Sequence, residues 1–295
     1  MHTFFRKIQS QVKQESPFAI GSPALVWQII FFYLPILSML ASSIVLFSEE
    51  GVFQSISFQN FLPILSKTHI SIVFNSIFLA LFTAVICLVI AYPLAHFIAF
   101  KGGRYKTTLL FFLIVPFWTN FLLHVYAWFF VLEREGFLNT LLKTLGIIDH
   151  PIHFLNSLFA VLLMMVYCYL PFMVLPIFSA LERFDQSLIE ISSDLGASWK
   201  QSFCHVMLPL TLPSVRAGFF LVFIPAFGEF IIPELMGGDK RYFVGNVISQ
   251  YILGDDTEGI GAAFMVLSCV ALLITTMLIY FLFKKVSKML TKEVQ

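Results

Sequence analysis

Residues 71–100 read SIVFNSIFLALFTAVICLVIAYPLAHFIAF, thirty positions without an Asp, Glu, Lys or Arg. A helix needs about 20 apolar residues to cross roughly 30 Å of hydrocarbon. This run is longer than that and apolar on every face, so a bilayer suits it better than the core of a soluble domain. Its titratable side chains are Cys87, Tyr92 and His96. Five further runs have the same character: Ala24–Phe47, Thr108–Leu132, Phe154–Phe178, Ala217–Pro233 and Ile260–Phe283. The third contains His124 and the fifth Glu229; the first, fourth and sixth contain no charged residue.

The whole composition agrees. Of 295 residues, 59% are hydrophobic and 12% charged, against about 45–50% and about 25% in soluble domains. The expected fold is an all-α membrane protein with six transmembrane helices in one domain, residues 24–283. A cytoplasmic segment (residues 1–23) precedes it and a basic tail (residues 284–295) follows. Some twenty mixed residues come before the first apolar run, which is unlike a cleavable signal. Phe4, Phe5, Ile8 and Val12 fall near one helical face beside Arg6, Lys7 and Lys13. That pattern fits either a helix on the membrane surface or a disordered basic tail.

Basic residues orient the spans. The N-terminus, the 101–107 and 179–216 connections and the C-terminal tail hold thirteen of the eighteen Lys and Arg residues. The opposite set holds Lys67, Arg134, Lys143, Lys240 and Arg241. Both termini of a multi-pass membrane protein are therefore expected in the cytoplasm.

The same sequence narrows the chemistry. No Gly is followed by Lys, so a GxxxxGK[ST] phosphate loop is excluded, and neither HExxH nor GxSxG occurs. Cys87, Cys168, Cys204 and Cys269 form no CxxC pair and read as packing residues. His150 and His153, beside Asp149, read as a solvated turn. No catalytic residue, metal ligand or bound cofactor is expected, and the net charge of +1 with no basic tract gives no sign of nucleic acid.

The longest inward connection, residues 179–216, carries the most specific pattern. Glu190-Ile191-Ser192-Ser193-Asp194-Leu195-Gly196 is followed by nine residues and then Val206-Met207-Leu208-Pro209. Two short amphipathic helices are expected, the first ended at Gly196, the second starting at Ser198 as N-cap and closed by Pro209 before the fifth span. Leu195, Trp199 and Phe203 recur at every fourth residue as an apolar seat. Glu190 and Asp194 share the polar face.

This arrangement resembles the EAA loop of binding-protein-dependent ABC transporter permeases: Glu-Ala-Ala, three residues, Gly, nine residues, Ile-x-Leu-Pro. Glu190, Gly196, Leu208 and Pro209 keep the spacing, while Ile191, Ser192 and Val206 depart from the usual residues. Asn75-Ser76 with Tyr92-Pro93-Leu94-Ala95, Pro116-Phe117-Trp118-Thr119-Asn120, Tyr126-Ala127-Trp128 and Arg134-Glu135-Gly136 extend the resemblance. So do Ile224-Pro225-Ala226-Phe227-Gly228-Glu229-Phe230 and Pro233-Glu234-Leu235-Met236-Gly237-Gly238. The combination is most similar to the spermidine/putrescine branch, first permease subunit, over roughly residues 20–285.

The resemblance implies a MetI-like importer permease with cytoplasmic coupling helices, not itself an enzyme. Its implied partners are an ABC ATPase dimer that uses the ATP, a second permease subunit, an external substrate-binding protein and membrane lipid. Glu190, Asp194, Leu195, Gly196, Ala197, Leu208 and Pro209 would couple to the ATPase. Glu229 leads the pathway residues, since a carboxylate within the bilayer faces water, a partner or a cation; cargo and a companion subunit are both open as that partner. Thr119, Tyr126 and Glu133, seven residues apart, are expected on one face of the third span as a polar track. Trp128 is assigned to lipid or helix packing or to the pathway, and Glu234 to the pathway. Asn120 and His124 are expected to bond across helices. The rival readings are an importer for another small solute and an ion-coupled secondary transporter.

Overall fold

The computed structural model describes residues 17–47, 53–238, 242–254 and 258–292. Most of the segment expected on the membrane surface, residues 1–16, lies outside them. Among the described residues, five helices are long and apolar enough to span a membrane: α1 (Gly21–Ile44), α2 (Lys67–Lys101), α6 (Leu158–Glu182), α8 (Trp199–Phe227) and α11 (Glu258–Lys292). A sixth span is a bent pair. Its first arm is α3 (Lys106–Trp118), and its second arm comprises α4 (Phe121–Leu132) and α5 (Phe137–Thr144), turned 95° from the first. Short helices α7 (Ser187–Asp194), α9 (Ile231–Gly237) and α10 (Val244–Leu253) complete the bundle.

Three helices, α2, α6 and α8, pack on one another and form the core. Lipid tails are as apolar as leucine, so close backbone approach has to hold membrane helices together. Accordingly α2 presents Ala80, Ala84, Ala91 and Ala95, all fully buried. Gly218 brings α8 onto α6: a Cβ there would lie 3.2 Å from the Met173 carbonyl oxygen. Tyr92 on α2 and Thr211 on α8 share a buried hydrogen bond of 2.9 Å. Helix α1 stands outside this core and meets α11 through Leu34–Ile44.

Several expectations are corrected. The first span ends at Ile44, not Phe47. Val45–Phe47 pairs antiparallel with Phe53–Ile56, so a two-stranded hairpin (β1, β2) joins the otherwise helical chain. The Asn60 amide donates to the Ser43 carbonyl at 3.2 Å and satisfies the helix end. The third run is not one helix. Pro116 lacks an N–H, the Thr119 hydroxyl donates back to the Pro116 carbonyl at 2.8 Å, and Asn120 caps α4 by accepting from the Leu122 N–H at 2.9 Å. Such side chains compete with the helical backbone bonds, and the chain breaks between Thr119 and Asn120. Thr119, Tyr126 and Glu133 therefore share no helical face.

The fifth span also moves. It begins at Trp199, not Ala217, and stops at Phe227, so the second cytoplasmic piece and the span are one continuous helix. Arg216 does not interrupt it, because its guanidinium lies 5.0 Å from the Tyr280 ring centroid, an attractive placement for a cation. Pro209 does not end it either. The preceding turn, Phe203–Met207, widens to a π-helix in which the Leu208 N–H reaches the Phe203 carbonyl. The same device precedes Pro35, after Ile29–Tyr33. A proline inside a helix removes one backbone bond and crowds the carbonyl four residues earlier. The wider turn accommodates both.

Outside the core, Asn139 organises the connection between α4 and α6. It is 1% exposed. Its amide donates to the Glu133 and Ile152 carbonyls at 3.2 and 2.9 Å, and its Oδ1 accepts from the Ile152 N–H at 2.9 Å. Asn139→Ala removes three bonds of about 1 kcal/mol each and leaves buried backbone groups unpaired. The expected loss is about 3 kcal/mol, read as a lowered Tm in detergent; an unchanged Tm would mean that the loop reorganises.

Candidate functional site

Two places collect the residues singled out in the sequence. The first is the inward elbow formed by α7 and the start of α8. Gly196 has φ of +83°, a conformation that costs side-chain-bearing residues about 1–2 kcal/mol. Its N–H bonds the Ser193 carbonyl at 2.9 Å, and the Ala197 N–H reaches the Ser192 carbonyl at 3.0 Å. These paired bonds form a Schellman ending for α7. Ser198 then starts α8 with a capping box: its N–H donates to Gln201 Oε1 at 2.8 Å.

Two serines that the sequence reading did not single out, Ser192 and Ser202, lock the arms together. Their hydroxyls meet at 2.6 Å and are buried. Their signal is faint: Ser192 stands where the EAA pattern has an alanine. Glu190, Asp194, Leu195 and Gly196 are exposed, Ala197, Leu208 and Pro209 half-buried. The apolar seat divides. Leu195 and Trp199 point outward, 84% and 66% exposed, whereas Phe203 turns inward. Its ring lies edge-on to Tyr92 at 5.4 Å and stacks on Trp199 at 5.5 Å. The positive φ at Gly196 takes Leu195 off the helix that carries Trp199 and Phe203. Phe203, Tyr92 and Thr211 connect the elbow to the core.

The second place is a cavity of about 490 Å³ beside the break in the third span. Aromatic and proline residues of α3 and α6 form most of its wall, with Thr119, His124, Tyr167, Tyr169 and Glu229 as polar groups. Glu229 lies in the Gly228–Phe230 linker between α8 and α9, half-buried. Its Oε2 accepts from the Tyr169 hydroxyl at 2.7 Å and its Oε1 from the Ile231 N–H at 3.2 Å. His124 bonds Thr119 on one ring nitrogen and the Tyr167 hydroxyl, at 3.1 Å, on the other. It thus bonds across helices as expected, while Asn120 is used as a cap. The cavity holds one carboxylate with two aromatic hydroxyls, a combination that favours a cation with N–H donors.

A family model for the binding-protein-dependent transport system inner membrane component matches residues 88–288. The chain belongs to this permease family. Its sequence is 37% identical over 271 residues to the spermidine/putrescine transport system permease protein PotB of Escherichia coli (strain K12), covering 91% of this chain and 97% of that protein. It is 36% identical over 270 residues to PotB of Haemophilus influenzae, covering 91% and 93%. The inner membrane ABC transporter permease protein YdcU of Escherichia coli (strain K12) is 29% identical over 238 residues, 76% of each chain. Among solved structures, a bacterial ABC transporter involved in the import of the acidic polysaccharide alginate superimposes with a TM-score of 0.71 at 17% identity, covering 95% of this chain and 99% of that one. The bacterial alginate transporter in complex with alginate pentasaccharide-bound periplasmic protein gives 0.72 at 17% identity, covering 96% and 98%. The permease therefore has the MetI-like importer fold and is a multi-pass inner-membrane protein of a binding-protein-dependent transport system.

Within the permease, the other residues expected on the pathway do not line the cavity. Tyr126 is 54% exposed on α4. Trp128 packs edge-on against Tyr167 with ring centroids 5.6 Å apart. Glu133 is exposed at the end of α4, and its carbonyl is taken by Gly136 and Asn139. Glu234, on α9, bonds Asn246 of α10. Tyr167 and Tyr169 are the polar cavity residues that sequence reasoning missed. Two hydroxyls just before Pro171, within an otherwise apolar run, were the available signal.

Proposed function

We propose that this permease subunit carries polyamines, spermidine and putrescine being the class, across the bacterial inner membrane in an ATP-driven importer. An external binding protein delivers the cargo, a second permease subunit completes the pathway, and a separate ABC ATPase dimer hydrolyses ATP. Both termini face the cytoplasm in this reading, in line with the distribution of Lys and Arg. The observation that carries the substrate class is Glu229, a carboxylate set in an aromatic cavity within the bundle. Its near-complete alignment with proteins named as spermidine/putrescine permeases points the same way.

The elbow supplies the coupling. Its exposed apolar tip, Leu195 and Trp199, seats in a groove of the ATPase, with Glu190 and Asp194 facing polar or basic groups there. ATPase closure moves the elbow as a rigid piece, and Phe203 passes the motion to α2 and α8. The bundle then switches between inward-open and outward-open states. Glu229, Thr119, Tyr126, Trp128, Glu133 and Glu234 are assigned to successive parts of the path.

The test is uptake by proteoliposomes that contain the assembled importer and its binding protein. Labelled putrescine and spermidine are expected to accumulate only with ATP, whatever the proton gradient. Accumulation that persists without nucleotide and follows the proton gradient would replace the importer with a secondary transporter. ATP-dependent uptake of neutral or anionic solutes alone would retain the importer and remove the polyamine.

A further inference from the structure

The linker that bears Glu229 leads directly to a second carboxylate in different surroundings. Glu234 lies in α9, and its Oε2 accepts from Asn246 Nδ2. The same amide nitrogen donates to the Phe230 carbonyl at 3.2 Å. Asn246 is 3% exposed. Both its donors are used, yet its Oδ1 has no hydrogen-bond partner among the described residues. Flipping the amide does not resolve this, because the oxygen would then face two acceptors. Buried acceptors of this kind are rare in folded proteins and call for an explanation.

The surroundings are built, not loose. A Cβ on Gly245 would come within 2.7 Å of the Gly228 carbonyl oxygen and 2.9 Å of the Glu229 carbonyl oxygen, so α10 rests directly on the linker. The first N–H of α10, that of Val244, bonds Ser76 Oγ of α2 at 2.8 Å. Glu229, Glu234 and Asn246 thus belong to one braced unit tied to the core. Glu234 itself is exposed, and its carboxylate meets the Asn246 amide at Nδ2.

We propose that the Glu234 carboxylate and Asn246 Oδ1 form a station for a primary ammonium group, separate from Glu229. An alkylammonium satisfies both oxygens at once, since it brings a positive charge and three N–H donors. One carboxylate in the linker and another in the helix that follows it favour a cargo with two or more ammonium ends over a monoamine, because a molecule held at one station presents its other end to the second at high effective concentration. The inference rests on the polyamine reading.

The test uses the assembled importer in proteoliposomes with ATP and binding protein, and measures uptake of labelled putrescine. Glu234→Gln and Asn246→Ala are each expected to lower uptake at least about five-fold, and the double variant to be no worse than the weaker single one. If Asn246→Ala lowers the Tm or fails to assemble, Glu234→Gln decides, because its side chain is exposed. Uptake unchanged in Glu234→Gln, with wild type transporting normally, overturns the station and leaves the polyamine reading standing. A wild-type importer that moves no diamine overturns both. Replacing potassium by sodium chloride separates the other source of charge: a rate change in wild type that Asn246→Ala abolishes would assign the station to an alkali cation and overturn the ammonium.

Discussion

Gly196→Pro is expected to leave the permease in the membrane and to reduce cargo-stimulated ATP hydrolysis by the assembled complex to its basal level. The elbow turns where Gly196 adopts φ of +83° and donates its N–H to Ser193 at 2.9 Å. Proline fixes φ near −65° and has no N–H, so both the turn and the bond are lost. The spans are untouched, and the six-helix bundle has no reason to unfold. Gly196→Ala separates angle from space: no atom lies within 4 Å of a Cβ built there, so its cost is the backbone conformation alone, about 1–2 kcal/mol. An intermediate loss of stimulation is expected. Glu190→Lys tests the contact itself, because an exposed side chain is replaced with little effect on stability. Stimulation should fall to basal level here too. Normal stimulated turnover with Gly196→Pro and Glu190→Lys would refute the docking role.

Glu229→Gln is expected to slow polyamine uptake by about ten- to a hundred-fold while the Tm changes little. The amide oxygen can accept from the Ile231 N–H while its NH2 donates to the Tyr169 hydroxyl oxygen, so both contacts of the carboxylate have a counterpart and the local fold is preserved. What disappears is the charge. A hydrogen bond to a charged group is worth about 1.5–3 kcal/mol, which corresponds to that range of rates if the bond forms as the ammonium passes. Tyr169→Phe should act in the other direction on the same carboxylate. It frees Oε2 for cargo and is expected to leave uptake at or above the wild-type rate, because the carboxylate keeps its charge and loses a competing donor. Uptake by Glu229→Gln within two-fold of wild type would assign the carboxylate to the companion subunit instead.

The long apolar runs made five of the six spans legible, because hydrocarbon thickness sets a length that composition alone can satisfy. The elbow was legible for another reason: a glycine at a required positive φ and a serine N-cap are local demands, visible one residue at a time. Where the reading failed, the deciding partner lay elsewhere in the chain. Arg216 looked like the edge of a loop, but Tyr280 of another helix accommodates it inside one. Pro209 looked like a stop, and a widened turn absorbed it. Thr119 and Asn120 sat in an apolar run whose average hid their competing hydrogen bonds. The cavity was half visible. Glu229 announced itself as a charge in lipid, whereas Tyr167 and Tyr169 became site residues only through the fold that brings α6 against the break.

The wide turn at Phe203–Met207 has a geometric effect of its own. An α-helix completes a circle every 3.6 residues, so one surplus residue swings whatever lies beyond it by about 100°. Five residues thus set the compass bearing of Trp199 and Leu195 about the axis of α8, while the number of turns sets only how far they protrude. Aim and reach are tuned separately. A relative that kept the glycine but lost the surplus residue would carry an intact elbow pointed in a different direction.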